Sequence, residues 1–140
     1  MIKDNPKKYD SMKELQERER KELEKKYHEL CNAKAIELHG EKTLKQWSME
    51  YQGLWYLYIL DDKEEAIEKY CVMKSINRGI LSFATTKIAD QGLYAFLEEC
   101  MRQCFIAGDT EILDKDEYFI PAAMKFNAIL EGKKAGLVKR

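Results

Sequence analysis

Trp47 to Leu60, WSMEYQGLWYLYIL, is the most apolar and most aromatic stretch of the chain, and any fold must bury much of it. Wound as an α-helix at about 100° per residue, it gathers Leu44, Trp47, Tyr51, Leu54, Trp55, Tyr58 and Ile59 on an arc of roughly 140°. Met49, Tyr56, Leu57 and Leu60 fall outside that arc, so the last two turns are apolar nearly all round. A helix of that kind is enclosed by neighbours or covers a partner. The spacing predicts a central helix about which the others pack.

The flanking segments carry helix signals. Pro6 is tolerated in a first helical turn, and Ser11-Met12-Lys13-Glu14 has capping-box spacing. A long first helix is expected from there to His39, ended by Gly40. Leu23, Tyr27, Leu30, Cys31 and Leu38 form the seam expected to pack. Gln16–Glu22 has no apolar residue and should project, steadied by pairs such as Glu14–Arg18 and Glu17–Lys21. Thr43-Leu44-Lys45-Gln46 repeats the capping box ahead of the aromatic segment. Asp61 and Asp62 read as the cap of a third helix, 63–77, with Ala66, Ile67, Tyr70, Cys71 and Met73 inward and Lys74 snorkelling. Ala89, Leu93, Phe96, Leu97, Cys100, Met101 and Cys104 predict a fourth helix reaching Ile106 and stopping at Gly108. Asp109–Asp116 reads as a polar loop with one turn at Ile112-Leu113. A last helix is expected from near Asp116 to Glu131, although Pro121 disfavours a helical Ile120.

Gln52-Gly53-Leu54-Trp55 recurs as Gln91-Gly92-Leu93-Tyr94. Glycine within a helix costs about 1 kcal/mol against alanine, so two such sites point to close helix–helix approach. With Lys63–Tyr70 these segments resemble a tetratricopeptide pair in outline. The second-helix alanine sits one residue late, however, and no third copy follows, as a solenoid requires.

Composition narrows the function. Basic and acidic residues, 24 and 25, nearly cancel, which argues against a dedicated nucleic-acid binder. Lys133, Lys134, Lys139 and Arg140 read as a solvated tail. The first ten residues have no signal-peptide core, and the longest apolar run, Leu54–Leu60, is far short of the ~20 residues that span a bilayer. Four cysteines without short-range pairing suit a reducing, cytoplasmic setting.

Reactive constellations are sparse. His28, Cys31, Cys100 and Cys104 have i,i+3 and i,i+4 spacings that two helices can turn into a zinc site, but free cysteine among Leu93, Phe96 and Leu97 behaves as a small hydrophobe. Residues 109–117 are acidic, yet Gln103, Phe105 and Ala107 stand where an EF-hand with Gly108 as its turn glycine needs oxygen ligands. The two histidines are eleven residues apart on one helix, and no nucleophile elbow, P-loop, dinucleotide fingerprint or metalloprotease motif occurs.

The sequence thus predicts an all-α, compact bundle of four to five helices spanning 1–140, with flexible tails at 1–10 and 133–140. Its first helix is long and partly projecting. The expected function is non-catalytic: a protein–protein interaction or assembly subunit, with usage suited to a bacterium or phage, needing no cofactor. Docking residues expected are Glu17, Arg18 and Arg20 on the charged helix and Met49, Tyr56 and Leu60 on the aromatic one. The partner is another protein or a second copy. The alternatives are a small-ligand or metal-binding bundle and a DNA-associated regulator using helices three and four as a helix-turn-helix.

Overall fold

The computed structural model describes residues 6–88, 90–131 and 135–140. Six helices and a three-stranded antiparallel sheet run in the order α1 (Pro6–His39), α2 (Glu41–Glu50), β1 (Leu54–Leu60), β2 (Ile67–Lys74), α3 (Arg78–Ile88), α4 (Leu93–Cys104), β3 (Phe105–Gly108), α5 (Glu111–Asp114) and α6 (Asp116–Glu131). The protein is therefore mixed α and β, and the all-α bundle is corrected. Both the second half of the aromatic segment and most of the expected third helix are strands. The tetratricopeptide outline and the helix-turn-helix fall with them, because Ile67–Lys74 is not a helix.

The sheet has the order β1-β2-β3, with β2 in the middle. Residues alternate between its two faces, as a pleated strand demands. Leu57, Ile59, Cys71, Met73 and Phe105 face a large core completed by α3 to α6, including Leu97, Met101, Ile112, Phe119 and Phe126. Leu54, Tyr56, Tyr58, Tyr70, Val72 and Ile106 face a smaller one closed by Ala35, Ile36, Leu44 and Trp47 of α1 and α2. Helices thus cover both faces. Removing a side chain such as Leu97 or Ile112 from water contributes roughly 1.5–3 kcal/mol.

Two register shifts tune this alternation. Ile59 pairs with Lys69 and Leu60 with Ile67, leaving Glu68 as an extra residue in β2. The bulge moves Ile67 to the α1 face, which its parity with Cys71 and Met73 denies it. In β3 the extra residue is Ile106, between Phe105 opposite Met73 and Ala107 opposite Val72. β3 ends at Gly108, whose φ is +124°. A Cβ there would lie 2.6 Å from Cys71 Cα and 2.6 Å from the Tyr70 carbonyl oxygen, so only glycine fits.

The misread breaks have local causes. Gly53 and Gly92 are not inside helices and bring no helices together. Both have positive φ, and Leu54 and Leu93 directly after them open β1 and α4. The repeated Gln-Gly-Leu-aromatic is a chain break used twice. Asp61 does not cap a helix: its Oδ1 accepts the Glu65 amide at 2.9 Å, and its own N–H donates to the Ala66 carbonyl, closing the β1–β2 turn. Asn77 Oδ1 accepts the Ile80 amide at 2.9 Å and so opens α3 where a helix end was expected. α6 does begin at Asp116 and carries Pro121 within it. Ala89 and the expected tail residues 132–134 and 1–5 lie outside the described residues.

Candidate functional site

α1 is a 34-residue helix, about 51 Å long, whose two halves meet different surroundings. From Tyr27 onward one face lies under the sheet. Cys31 and Ala35 are fully buried, Tyr27 donates from its hydroxyl to the Glu64 carbonyl at 3.0 Å, and the Tyr27 and Tyr58 rings are 5.7 Å apart. Residues 11–26 are all exposed.

The seam expected to pack is divided. Cys31 packs, but Leu23, Leu30 and Leu38 are 49%, 37% and 59% exposed, as are Met12 and Leu15 at 54% and 53%. At about 100° per residue, Met12, Leu23 and Leu30 stand within about 20° of one another. Leu15 lies on the edge of that strip. The strip is roughly 115° round the helix from the middle of the buried Cys31–Ala35 face. The body therefore grips one side of α1 and leaves an apolar stripe exposed beside it.

The expected docking residues fall elsewhere. Arg20 pairs with Glu17 at 3.6 Å and Glu24 at 4.0 Å, in place of the Glu14–Arg18 and Glu17–Lys21 pairs. All these groups are solvated, and such pairs stabilise by a few tenths of a kcal/mol. Arg18 and Arg20 are exposed and flank the stripe, whereas Glu17 points the same way round the helix as Ala35. Met49 is 82% exposed at the end of α2. Tyr56 turns under α1 and donates from its hydroxyl to Asn32 Oδ1 at 2.8 Å, with its ring 5.8 Å from His28. Leu60 sits at the far end of β1. The structure does not bring these three together.

The four metal-ligand candidates are also separated. Cys100 and Cys104 belong to the large core, whereas His28 and Cys31 stand on the opposite, α1 side of the sheet by Tyr56. Among the described residues no three histidine, cysteine or carboxylate side chains form a metal-holding group. All four cysteines are free and buried. Burial pushes the Cys31 and Cys104 thiols up to about 11 and Cys71 to about 12, with the Asp109 carboxylate adding to the last. Thiols held protonated are poor nucleophiles and poor metal ligands at neutral pH.

Beside α1 runs an open groove of about 740 Å³ between α1, α2 and β1, lined by residues including His28, Asn32, Lys45, Ser48 and Tyr56. Among the described residues its one side-chain hydrogen bond joins Tyr56 to Asn32. No nucleophile is held against a base there. Deeper in, Tyr70 is wholly buried, its hydroxyl 2.7 Å from His39 Nε2. Burial, together with Tyr56 and Asp109, pushes this phenol up to about 12. Asp109 fixes the Tyr70 backbone from both sides: its Oδ2 accepts the Tyr70 amide at 2.9 Å and its own N–H donates to the Tyr70 carbonyl at 2.9 Å. This constellation anchors the strand.

Among the described residues, no helix is long and apolar enough to cross a membrane. Comparison with protein-family models, curated proteins and solved structures finds no match. The function therefore has to be argued from this geometry alone.

Proposed function

We propose that this chain is a non-catalytic assembly subunit that docks on another protein helix through the outer face of α1. One observation carries the reading: Met12, Leu15, Leu23 and Leu30 are exposed along the side of α1 that the body leaves free. A segment like 11–26, exposed along its whole length, is marginal as an isolated helix in water, because short helices depend on packing an apolar face. Docking would supply that packing. Four free, buried thiols suit work in a reducing, cytoplasmic setting.

The rival account of a projecting charged helix is an autonomous spacer held by its own ion pairs. Hydrogen exchange separates the two. At about 1 µM chain, below assembly, the docking reading expects amides of 11–26 to exchange near unfolded rates while 27–39 stay protected. Protection at 11–26 should appear on docking and be lost in Leu15→Gln/Leu23→Gln/Leu30→Gln, because glutamine keeps helix propensity while removing the stripe. Equal protection of both halves at 1 µM, unchanged by the triple substitution, would establish a spacer and remove the docking role.

A second reading rests on the groove, whose volume falls in the range of small-ligand sites. Trp47, packed 5.2 Å from His39 behind it, reports on occupancy. Quenching or a blue shift of Trp47 emission with an added aromatic ligand at micromolar concentration would favour that reading.

A further inference from the structure

We propose that the occupant of the α1 stripe is a second copy of this chain, lying antiparallel, with the two-fold axis crossing the helix between Glu22 and Leu23. This rests on the docking reading above and names its partner. The order of residues along the stripe carries this pairing. Between its apolar members stand two charged residues, Glu19 and Lys26, both exposed. No ion pair within the chain engages either of them among the described residues.

A two-fold axis at this point sets Leu15 opposite Leu30 of the second copy and Met12 opposite the exposed Ala33. The same axis sets Glu19 opposite Lys26, and symmetry makes each of these contacts twice. Leu23, half a residue from the axis, meets its own copy. Apolar thus falls on apolar and negative on positive over about 32 Å of helix. The seven-residue steps from Glu19 to Lys26 and from Leu23 to Leu30 are those of a coiled-coil seam.

The parallel, in-register alternative sets Glu19 against Glu19 and Lys26 against Lys26, placing like charges within the seam. The antiparallel pairing converts both into attractions. An unrelated partner gives no reason for a stripe that is its own complement when reversed. The body leaves the stripe open to a partner, because Met12, Leu15, Leu23 and Leu30 are all exposed.

The test is disulfide mapping on the full chain. The four native thiols are buried, so an introduced surface cysteine is the reactive one. Leu15→Cys alone and Leu30→Cys alone should form little covalent dimer under mild oxidation, whereas the mixture of the two should form it readily. Charge exchange provides the second readout. Glu19→Lys or Lys26→Glu should raise the dimer Kd about tenfold or more, since two pairs turn repulsive, and the double exchange should restore it to within about threefold. Thermal melting confirms that each variant is folded.

Self-linking of Leu15→Cys would overturn the antiparallel pairing in favour of a parallel one. A chain that stays at monomer mass to about 200 µM and gives no mixed disulfide would overturn the second copy altogether. Neither result touches the docking reading, which the exchange comparison at 1 µM decides by itself.

Discussion

Residues 11–26 and residues 27–39 of α1 form one continuous helix, yet opposite physics holds each half. In the second half the sheet decides everything. Ala35 is small because Tyr70 and Val72 press on it, and Cys31 is buried beside Tyr56 and Tyr58. In the first half the ion pairs around Arg20 are solvated. Apolar residues persist there nonetheless. A buried leucine needs no explanation beyond the core, whereas a row of exposed ones on a helix with no neighbour calls for a partner.

The widest contrast comes from two alanines two residues apart. Ala35→Glu forces a carboxylate into the fully buried, close-packed small core, and should cost at least about 4 kcal/mol or prevent folding. Ala33→Glu, on the exposed face, should shift monomer stability by no more than about 0.5 kcal/mol while weakening the dimer opposite Met12. Denaturant titration with sedimentation measures both. Equal stability losses would erase the distinction between the faces.

The packed half is only as firm as the sheet it grips. Gly108→Ala should cost roughly 3 kcal/mol, from the positive φ and the collision with Cys71 and Tyr70, and should lower the melting temperature without altering the Kd of association once folded. High pH tests the same core. Burial pushes Cys71 up to about 12 in the fold from an ordinary 9.0, so the folded state keeps a proton that the unfolded chain releases. Its contribution is complete below pH 9 and fades as pH rises from about 9 towards 12. At pH 11 the loss from this thiol is roughly 2–3 kcal/mol. Alkaline melts should show falling stability over that window, and Cys71→Ala should flatten the slope. The smallest effect expected is for Tyr70→Phe, which removes the bond to His39 and should cost about 1 kcal/mol while leaving association unchanged.

The helical parts of the fold were legible in the sequence where a cap or a one-sided apolar pattern marked them. α1, the turn at Ile112-Leu113 and the start of α6 at Asp116 were of this kind. The sheet was not, because helices cover both of its faces. In β1 the α1 face carries Leu54, Tyr56 and Tyr58 and the other carries Trp55, Leu57 and Ile59, so no polar alternation remains to separate strand from helix. Two signals did exist. The run is seven residues, short for a helix, and it is delimited by Gly53 and Asp61. The bulge at Glu68 hid β2 further by breaking its period. Leu23 and Leu30 were legible as apolar residues but read as part of the packing seam with Cys31, since a lone helix does not reveal which side its own body will occupy.

The pairing of α1 across a two-fold axis is tested most directly by the distance between two spin labels. Glu14→Cys is exposed and off the stripe, and the buried native thiols leave it as the labelling site. In the antiparallel dimer the two labels are separated by about 26 Å along the helix, and by roughly 30 Å or more with the lateral offset. Dipolar spectroscopy at concentrations above the Kd should give a narrow distribution there. A distribution centred near 10–15 Å, or no dipolar signal at any concentration, would contradict the account.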